Sequence, residues 1–376
     1  MTEFFNIVNI ILASGSFWIP LLFGLMFLLF PLRNESIPRR YNKIKYMMSA
    51  IYLLFAAISL AALLQNTEGE YHITIRLYIP VVAVFHLVLF TCINTSLINN
   101  DNKTSGRMLF GLIVSTIFSV FYLTAYYINY QTTLFGVAYY MIYGLLLCMT
   151  IYYSYYFFYY YRQYKLALDN YYSELSADHL AWVHFSQLSI ILMALAIVVM
   201  TILPDKMMVT FLAAILMFYS YYGFRIMLYS ARFLDYNKSL DLLPWNRENS
   251  EDKNNSSSNN DVQLLIEKWV EKKSFVQPNL TILSVAAEMG TNRTYLSSHI
   301  NTFKQQTFKE WIAELRINEA KEMLLADPNI PIGEVSMTVG FTDKSNFARS
   351  FSRLTGSTPS EWRNANLNKQ KILDNS

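Results

Sequence analysis

Charged residues are scarce in this sequence. Only 15% of its 376 residues are charged, against about 25% in an average soluble protein. Hydrophobic residues make up 53% and aromatic residues 16%, including 28 Tyr. The deficit is uneven, because long apolar runs in residues 1–235 nearly lack acidic side chains while the remainder has an ordinary soluble composition. This asymmetry predicts a membrane part followed by a soluble part.

Cysteine is also rare, and the motifs of catalysis are missing. Cys92 and Cys148 both lie within apolar runs, so we expect them to pack in the bilayer rather than form a disulfide or a metal pair. We find no nucleophile–base pair, no metal-ligand spacing and no phosphate-binding loop, so we expect neither an enzyme nor a cofactor. The first residues, MTEFFN, lack the basic region of a cleavable signal peptide.

Seven apolar segments are long enough to cross a bilayer, which takes about 20 residues per helix. None contains Asp or Glu, and they lie near residues 8–30, 46–64, 77–98, 108–128, 134–160, 186–203 and 207–229. The last two are joined by Pro204-Asp205-Lys206, which predicts a tight hairpin. A single helix interrupted at Pro204 is the alternative, but it would far exceed one bilayer thickness.

Lys and Arg are concentrated in alternate loops. The loops on one side carry Arg33, Arg39, Arg40, Lys43, Lys45, Lys103, Arg107, Arg162 and Lys165, followed by Arg232 and Lys238 after the seventh segment. The opposite loops hold only Arg76 and Lys206. The positive-inside rule therefore predicts an external N-terminus and a cytoplasmic C-terminus.

Tyrosines aside, the spans hold one deep ionisable residue, His86, which shares its segment with Asn94. Intramembrane ionisable groups are candidates for function, so His86 and Asn94 form a candidate signal site. A neutral His that hydrogen-bonds a neighbouring helix is the alternative. Arg225 lies near a cytoplasmic span end, where its side chain can reach the interface.

The stretches that lead towards the soluble part are polar or mixed. Residues 163–183 alternate Leu with charges, which predicts an amphipathic extension of the fifth span along the membrane surface. Residues 236–261 form a predicted linker, disordered from about 247, because 247–261 contain no hydrophobic residue. We thus expect a membrane domain at 1–235, a soluble domain at 262–366 and a tail at 367–376.

The most informative stretch runs from Ile332 to Arg363. Ile332, Val335 and Val339 share one helix face, and Gly340 follows where a left-handed residue is needed. Thr342 or Asp343 can cap a second helix, whose Phe347 and Phe351 point into a core. Two short helices joined in this way predict a helix-turn-helix.

A weaker helix-turn-helix precedes it, with Gly290 between two short apolar patterns and Thr291 or Asn292 as the cap of the second helix. The capping box Thr307–Glu310 then opens a helix to about Leu325, roughly 27 Å long at about 1.5 Å per residue. Such a spacer can hold two recognition helices about 34 Å apart, one turn of DNA.

The ordered set Gly340-Phe341-x-Asp343-x-Ser345-x-Phe347-x-Arg349-x-Phe351, followed by Gly356-x-Thr358-Pro359-x-x-Trp362-Arg363, resembles the signature of the AraC/XylS family of bacterial transcription regulators. The resemblance covers about residues 262–366. It implies an all-α protein in which two helix-turn-helix units bind successive major grooves of promoter DNA, with RNA polymerase as a candidate partner. The residues that it implies at the DNA are Arg293, Thr294, Ser297 and Ser298 in the first helix-turn-helix and Lys344, Ser345, Asn346 and Arg349 in the second helix-turn-helix.

Two roles stay open for Arg349, a specific contact to guanine or a contact to phosphate. From Asp261 onward the chain has 14 Lys plus Arg against 13 Asp plus Glu, a net charge of +1. Since phosphate neutralisation carries much of DNA affinity, we expect weak binding by one module and a homodimer that supplies the second.

The leading hypothesis is a one-component regulator in the bacterial cytoplasmic membrane, whose seven-helix bundle senses an unknown signal molecule or dimerises the chain. The alternative from another class is a transporter or channel with a regulatory cytoplasmic domain. It fits less well because the spans lack carboxylates. A third reading treats the bundle as an anchor and dimeriser only.

Overall fold

The computed structural model of the protein describes residues 2–29, 39–64, 71–98, 103–174, 181–200, 208–231 and 259–374. All regular secondary structure in these ranges is helical, which confirms the predicted all-α class. The chain divides into two compact units. The described residues of the first unit lie between 2 and 164 and at 181–231, and those of the second unit are 165–174 and 259–374.

The first unit is built from long apolar helices. They are α1 (Thr2–Leu29), α2 (Arg39–Leu64), α3 (Tyr71–Ile98), α4 (Lys103–Asn129), α5 (Thr133–Asp169), α6 (Ala181–Val199) and α7 (Met208–Ala231). Among the described residues, six of these, α2 to α7, contain stretches that are long and apolar enough to cross a membrane, and α1 contributes the shorter apolar stretch Ser14–Leu29. The seventh crossing therefore stays a prediction, and the hairpin at Pro204-Asp205-Lys206 lies outside the described residues.

Helix α3 lies at the centre of the first unit, where it packs against α2, α4 and α6. Within its apolar 18-residue stretch 94% of the residues are buried, compared with 28% in the corresponding stretch of α4. The outward side chains of α4, such as Phe110 and Ile117, are exposed and apolar. An apolar exterior around a centre that holds buried Thr and Asn side chains is the arrangement expected of a bundle surrounded by lipid.

The predicted extension of the fifth span through residue 183 is wrong in part. Helix α5 ends at Asp169, Asn170 and Tyr171 form a turn, and Tyr172 forms an isolated antiparallel bridge with Thr281. Residues 175–180 lie outside the described residues. The chain leaves the helix here because Tyr171 and Ser173 form backbone hydrogen bonds with Ile282 and Leu280.

The second unit contains two helix-turn-helix units and their supports. Its helices are α8 (Asn259–Glu271), α9 (Ile282–Glu288), α10 (Arg293–His299), α11 (Phe308–Ala326), α12 (Ile332–Thr338), α13 (Lys344–Thr355) and α14 (Pro359–Asp374). A 3-10 turn spans Ser274–Val276, and a π-helical turn, Ile300–Lys304, continues from α10. Helix α8 begins three residues before the predicted Val262; the linker at 236–258 is not among the described residues.

Helix α11 joins two hydrophobic cores. Trp311 and Ile312 contribute to the first core with α8, α9 and α10, whereas Ala313 and Ile317 contribute to the second with α12 and α13. Adjacent positions on one helix serve different cores because successive residues point about 100° apart around an α-helix. The helix therefore acts as the connection between the two helix-turn-helix units, as the capping box and its length predicted.

Candidate nucleic-acid interface

The two helix-turn-helix turns are built alike. Gly290 (φ +72°) follows α9 and Gly340 (φ +96°) follows α12, both in the left-handed region. In the first turn the N–H of Thr291 donates to the Ala286 carbonyl, and in the second the N–H of Phe341 donates to the Ser336 carbonyl. These are Schellman bonds, which satisfy the last carbonyls of each helix. The glycines set the angle at which each recognition helix leaves its turn.

Side-chain caps start both recognition helices. The Asn292 carboxamide accepts the N–H of Tyr295 at 2.9 Å, and the Asp343 carboxylate accepts the N–H of Ser345 at 2.8 Å. Each cap satisfies one of the four N–H groups that a helix start leaves without an intrahelical partner. Of the candidate caps in the sequence, Asn292 and Asp343 are the ones used.

The first recognition helix is α10. Thr294 and Ser298 are exposed, while Arg293 and Ser297 are half-buried. Arg293 lies over the ring of Tyr171, with its guanidinium carbon 5.8 Å from the ring centroid, and Ser297 accepts a hydrogen bond from the Asn301 carboxamide. The polar face predicted for this helix thus exists, but two of its four members already have partners in the protein.

The second recognition helix is α13, and it carries a sharper polar face. Lys344, Ser345 and Arg349 are exposed and Asn346 is half-buried. Arg349 donates to the Asn346 carboxamide at 2.7 Å and to the Ser345 carbonyl at 3.4 Å. Phe347 and Phe351 are buried on the opposite face. The structure therefore brings Ser345, Asn346 and Arg349 together at the surface, and Lys344 precedes them at the helix start.

A buried ion pair, not predicted from the sequence, lies between the two helix-turn-helix units. Arg316 of α11 donates to the carbonyls of Phe275 (2.8 Å) and Gln277 (2.6 Å) and to the carboxylate of Glu174 (2.6 Å). Burial lowers the pKa of the Arg316 guanidinium from its ordinary value, and the Glu174 charge opposes this shift. A sequence signal for Arg316 did exist, since it continues the inward stripe of Ile312, Ala320 and Leu324 at helical spacing.

The other oxygen of Glu174 reaches the second turn. It accepts the backbone N–H of Thr342 at 3.0 Å and the hydroxyl of the same residue at 2.7 Å. Thr342 directly precedes Asp343, the cap of α13. One carboxylate thus joins α11 to the start of the second recognition helix.

In the first unit, His86 of α3 contacts the neighbouring helices α2 and α7. Its Nδ1 is hydrogen-bonded to the Tyr219 hydroxyl of α7, and its Nε2 lies 3.4 Å from the Ile51 carbonyl of α2. A neutral ring that carries its proton on Nε2 fits both partners. His86 and Tyr219 also line a cavity of about 100 Å³ whose other walls, from α2, α3, α6 and α7, are largely apolar.

Asn94 lies two turns further along α3, in a buried polar network rather than at this cavity. Its carbonyl oxygen accepts from Tyr222 (2.6 Å) and Ser186 (3.2 Å), and its amide donates to Gln187 at 3.1 Å. Gln187 was not singled out from the sequence. The structure therefore separates the predicted pair into a cavity-lining His86 and a network-forming Asn94. Among the described residues no group of three or more His, Cys, Asp or Glu is placed to hold a metal ion.

A pair of helix-turn-helix units on one connecting helix, each with an exposed polar recognition face, defines the second unit as a DNA-binding domain of the double helix-turn-helix class. The helix-turn-helix domain family matches residues 285–365. The chain is 31% identical over 102 residues to the regulatory protein SoxS of Salmonella typhimurium, a match that covers 27% of this chain and 92% of SoxS. The protein belongs to the AraC/XylS family of transcription regulators.

Two operon regulators from Escherichia coli K12 are also similar to part of the chain. The arabinose operon regulatory protein is 38% identical over 88 residues, which is 23% of this chain and 29% of that protein. The melibiose operon regulatory protein is 29% identical over 94 residues, which is 25% of this chain and 31% of that protein. The chain thus spans about a third or less of their lengths. No solved structure matches the chain.

Proposed function

We propose that the protein is a membrane-bound, one-component transcription regulator that binds promoter DNA through α10 and α13. The observation that supports this most directly is the pair of exposed recognition faces held on one connecting helix, in the same chain as six helices apolar and long enough to cross a membrane. The proposed contacts are Arg293, Thr294, Ser297 and Ser298 on α10 and Lys344, Ser345, Asn346 and Arg349 on α13.

Within this set Arg349 is proposed to read a base. Its hydrogen bond to Asn346 restrains the guanidinium along the exposed face of α13, which reduces the conformational entropy lost on binding. Arg can donate two hydrogen bonds to O6 and N7 of guanine, a contact that discriminates by about 1–3 kcal/mol. If Arg349 contacted a phosphate instead, its removal would weaken binding to all sequences about equally.

The location that we propose is the bacterial cytoplasmic membrane, with the second unit in the cytoplasm. The basic residues of alternate loops support this orientation, and a DNA-binding domain functions only on the side where DNA is. The first unit would then act as a sensor and as a dimeriser.

The cavity beside His86 is the proposed sensor site. Its walls are aliphatic and aromatic, and the His86–Tyr219 pair is its main polar feature. It suits a small apolar molecule with one hydrogen-bonding group. Such a molecule would replace the hydrogen bond between His86 of α3 and Tyr219 of α7 with a bond to itself. It could act as a signal only if it bound two arrangements of these helices with different affinities. Asn94 would hold α3, α6 and α7 together next to the site.

A homodimer would supply the affinity that one nearly neutral module lacks. With a net charge of +1 from Asp261 onward, one copy neutralises few phosphates. Two tethered copies make the second binding event intramolecular and raise the apparent affinity. The mass of the full chain in detergent, measured by light scattering, tests this part; a monomer at all concentrations contradicts it.

Genome-wide DNA occupancy of the full-length protein tests the function as a whole. We expect discrete promoter peaks for the native protein and their loss for Arg349→Ala. Lys321→Ala is the matched control, because Lys321 is also a cation of the second unit but hydrogen-bonds only Asn318 on its own helix. Peaks that persist in Arg349→Ala would contradict the assignment of the DNA-binding face. The absence of peaks for the native protein would contradict the proposed function.

A further inference from the structure

Within the second unit, the segment that follows helix α5 is bound to residues 259–374 through both backbone and side-chain contacts. The N–H of Ser173 donates to the Leu280 carbonyl and the N–H of Ile282 donates to the Tyr171 carbonyl, both at 2.9 Å. These two bonds form the antiparallel bridge between Tyr172 and Thr281. The pairing is a short version of strand addition, in which main-chain bonds supply affinity and side chains supply specificity.

Side chains on both sides of the bridge extend the contact. Tyr171 packs against the first hydrophobic core, and its ring lies beside the proposed DNA contact Arg293. At the helix end, Asp169 accepts a hydrogen bond from Lys309 of α11 at 3.0 Å, in a pair whose side chains are 25% and 37% exposed. An exposed pair of this kind contributes little by itself.

Glu174 makes a different kind of contact, because its pair with Arg316 is closed to solvent. The Arg316 side chain is 0% exposed and that of Glu174 is 3% exposed. A buried guanidinium needs a partner for its charge. The other hydrogen bonds of Arg316 go to backbone carbonyls, and its guanidinium carbon lies 5.4 Å from the centroid of the Phe341 ring. Residues 259–374 therefore contain a site for a carboxylate that is filled from 142 residues away in the sequence.

The same carboxylate links the two helix-turn-helix units. Arg316 donates hydrogen bonds to Phe275 and Gln277, which precede the first helix-turn-helix. Glu174 connects Arg316 to the N–H and hydroxyl of Thr342, in the turn of the second helix-turn-helix. Removal of the carboxylate would break the link between Arg316 and the start of α13.

We propose that residues 169–174 are an intramolecular ligand of residues 259–374, which carry both helix-turn-helix units, and that Glu174 in this segment sets the position of the second recognition helix relative to the first. The protein binds DNA best when this segment is docked. The segment continues directly from α5, so a movement of α5 would weaken or strengthen the contact and thereby alter DNA binding. A domain that was cut free in the linker would leave its ligand behind and bind DNA less well.

The test uses the full-length protein in detergent and rests on the proposed DNA-binding function. Because the operator is unidentified, the probe is a duplex that the native protein selects from a random-sequence library. A second duplex has one of its two contacted grooves scrambled. Failure of the native protein to select any duplex would contradict the proposed function, whereas the variants below concern the present inference alone.

Glu174→Gln is the first variant. It keeps the size of the side chain and removes the charge, so we expect affinity for the intact duplex to fall about tenfold, equivalent to ~1.4 kcal/mol. Affinity for the scrambled duplex should change less than about twofold, since one recognition helix suffices there. Amide hydrogen exchange should rise at Thr342 and in the first turn of α13. Glu267→Gln is the matched control and should change neither measurement, because it removes an exposed carboxylate that accepts from Gln263 on its own helix.

Thr342→Val tests the same link if Glu174→Gln unfolds the second unit. It removes one hydrogen bond to Glu174 but leaves Arg316 paired. We expect a threefold or larger loss on the intact duplex alone. Unchanged affinity of a folded Glu174→Gln protein, or unchanged affinity of Thr342→Val where Glu174→Gln unfolds, would overturn the inference.

Discussion

Gly340→Ala is the substitution for which the structure gives the clearest magnitude. Gly340 has φ +96°, a conformation that costs an L-residue about 1–2 kcal/mol. A methyl group there would also overlap the Val276 backbone, since it would lie 2.8 Å from the Val276 carbonyl carbon and 3.1 Å from the Arg316 guanidinium carbon. Main-chain atoms cannot rotate away, so the overlap adds strain of about 1–3 kcal/mol.

Gly290→Ala is the matched control, because Gly290 occupies the same place in the first helix-turn-helix turn. Its φ is +72°, but a methyl group there would meet nothing within 4 Å. We therefore expect about 1–2 kcal/mol from the backbone alone. The difference between the free-energy costs of the two substitutions measures the cost of the close contact between the second turn and the loop that contains Val276.

Native-state hydrogen exchange of the full chain in detergent measures both effects. In peptides from α12 and α13, Gly340→Ala should raise exchange by roughly 30-fold to several thousand-fold, the range for about 2–5 kcal/mol of local opening. Gly290→Ala should raise exchange in α9 and α10 by about 5- to 30-fold. Equal effects of the two substitutions would refute the argument that backbone contact, rather than conformation alone, requires Gly340.

Two further predictions concern single hydrogen-bonded groups. Hydrogen bonds from the Thr307 N–H and hydroxyl, with the nearby Arg353 charge, hold the pKa of Glu310 below its ordinary value of 4.5. The stabilisation is therefore present above pH 4.5 and is lost as pH falls through the lower folded value, so exchange protection in the first turn of α11 should fall there in the native protein but not in Glu310→Gln. In the first unit, Asn94→Leu leaves Tyr222, Ser186 and Gln187 without a shared partner, which should cost about 1–3 kcal/mol and lower the melting temperature of the full chain in detergent. Thr116→Val, which loses only an exposed bond to its own helix, should not.

The parts that were predicted correctly depend on residues close together in the chain. The capping box at Thr307 and Glu310, the turn at Gly340 and the cap at Asp343 are each defined within about four residues. Apolar runs likewise predicted the long helices of the first unit, although α1, α2, α3 and α5 extend beyond the predicted segments at one end. These features follow from backbone conformation and local hydrogen bonding, which the sequence alone expresses. Hydrophobic periodicity predicts that Lys344, Ser345 and Arg349 lie on the outward face of α13, whereas Asn346 was implied by the family resemblance alone.

The end of α5 shows where this reasoning fails. Alternating Leu and charged residues predict a helix through residue 183, yet the chain leaves the helix after Asp169 to pair with the backbone at Leu280 and Ile282. The gain from that pairing depends on a partner more than 100 residues away. Local propensity is a weak prior, and tertiary contacts override it.

The sequence by itself thus determined the class, the helices, the family and the candidate DNA face, because each is encoded by neighbours along the chain. Only the tertiary structure decided which polar groups are buried together: Glu174 with Arg316, His86 with Tyr219, and Asn94 with Gln187. A buried polar group must find a partner, but composition and spacing do not specify which segment supplies it. That choice is made when the segments meet in the folded protein.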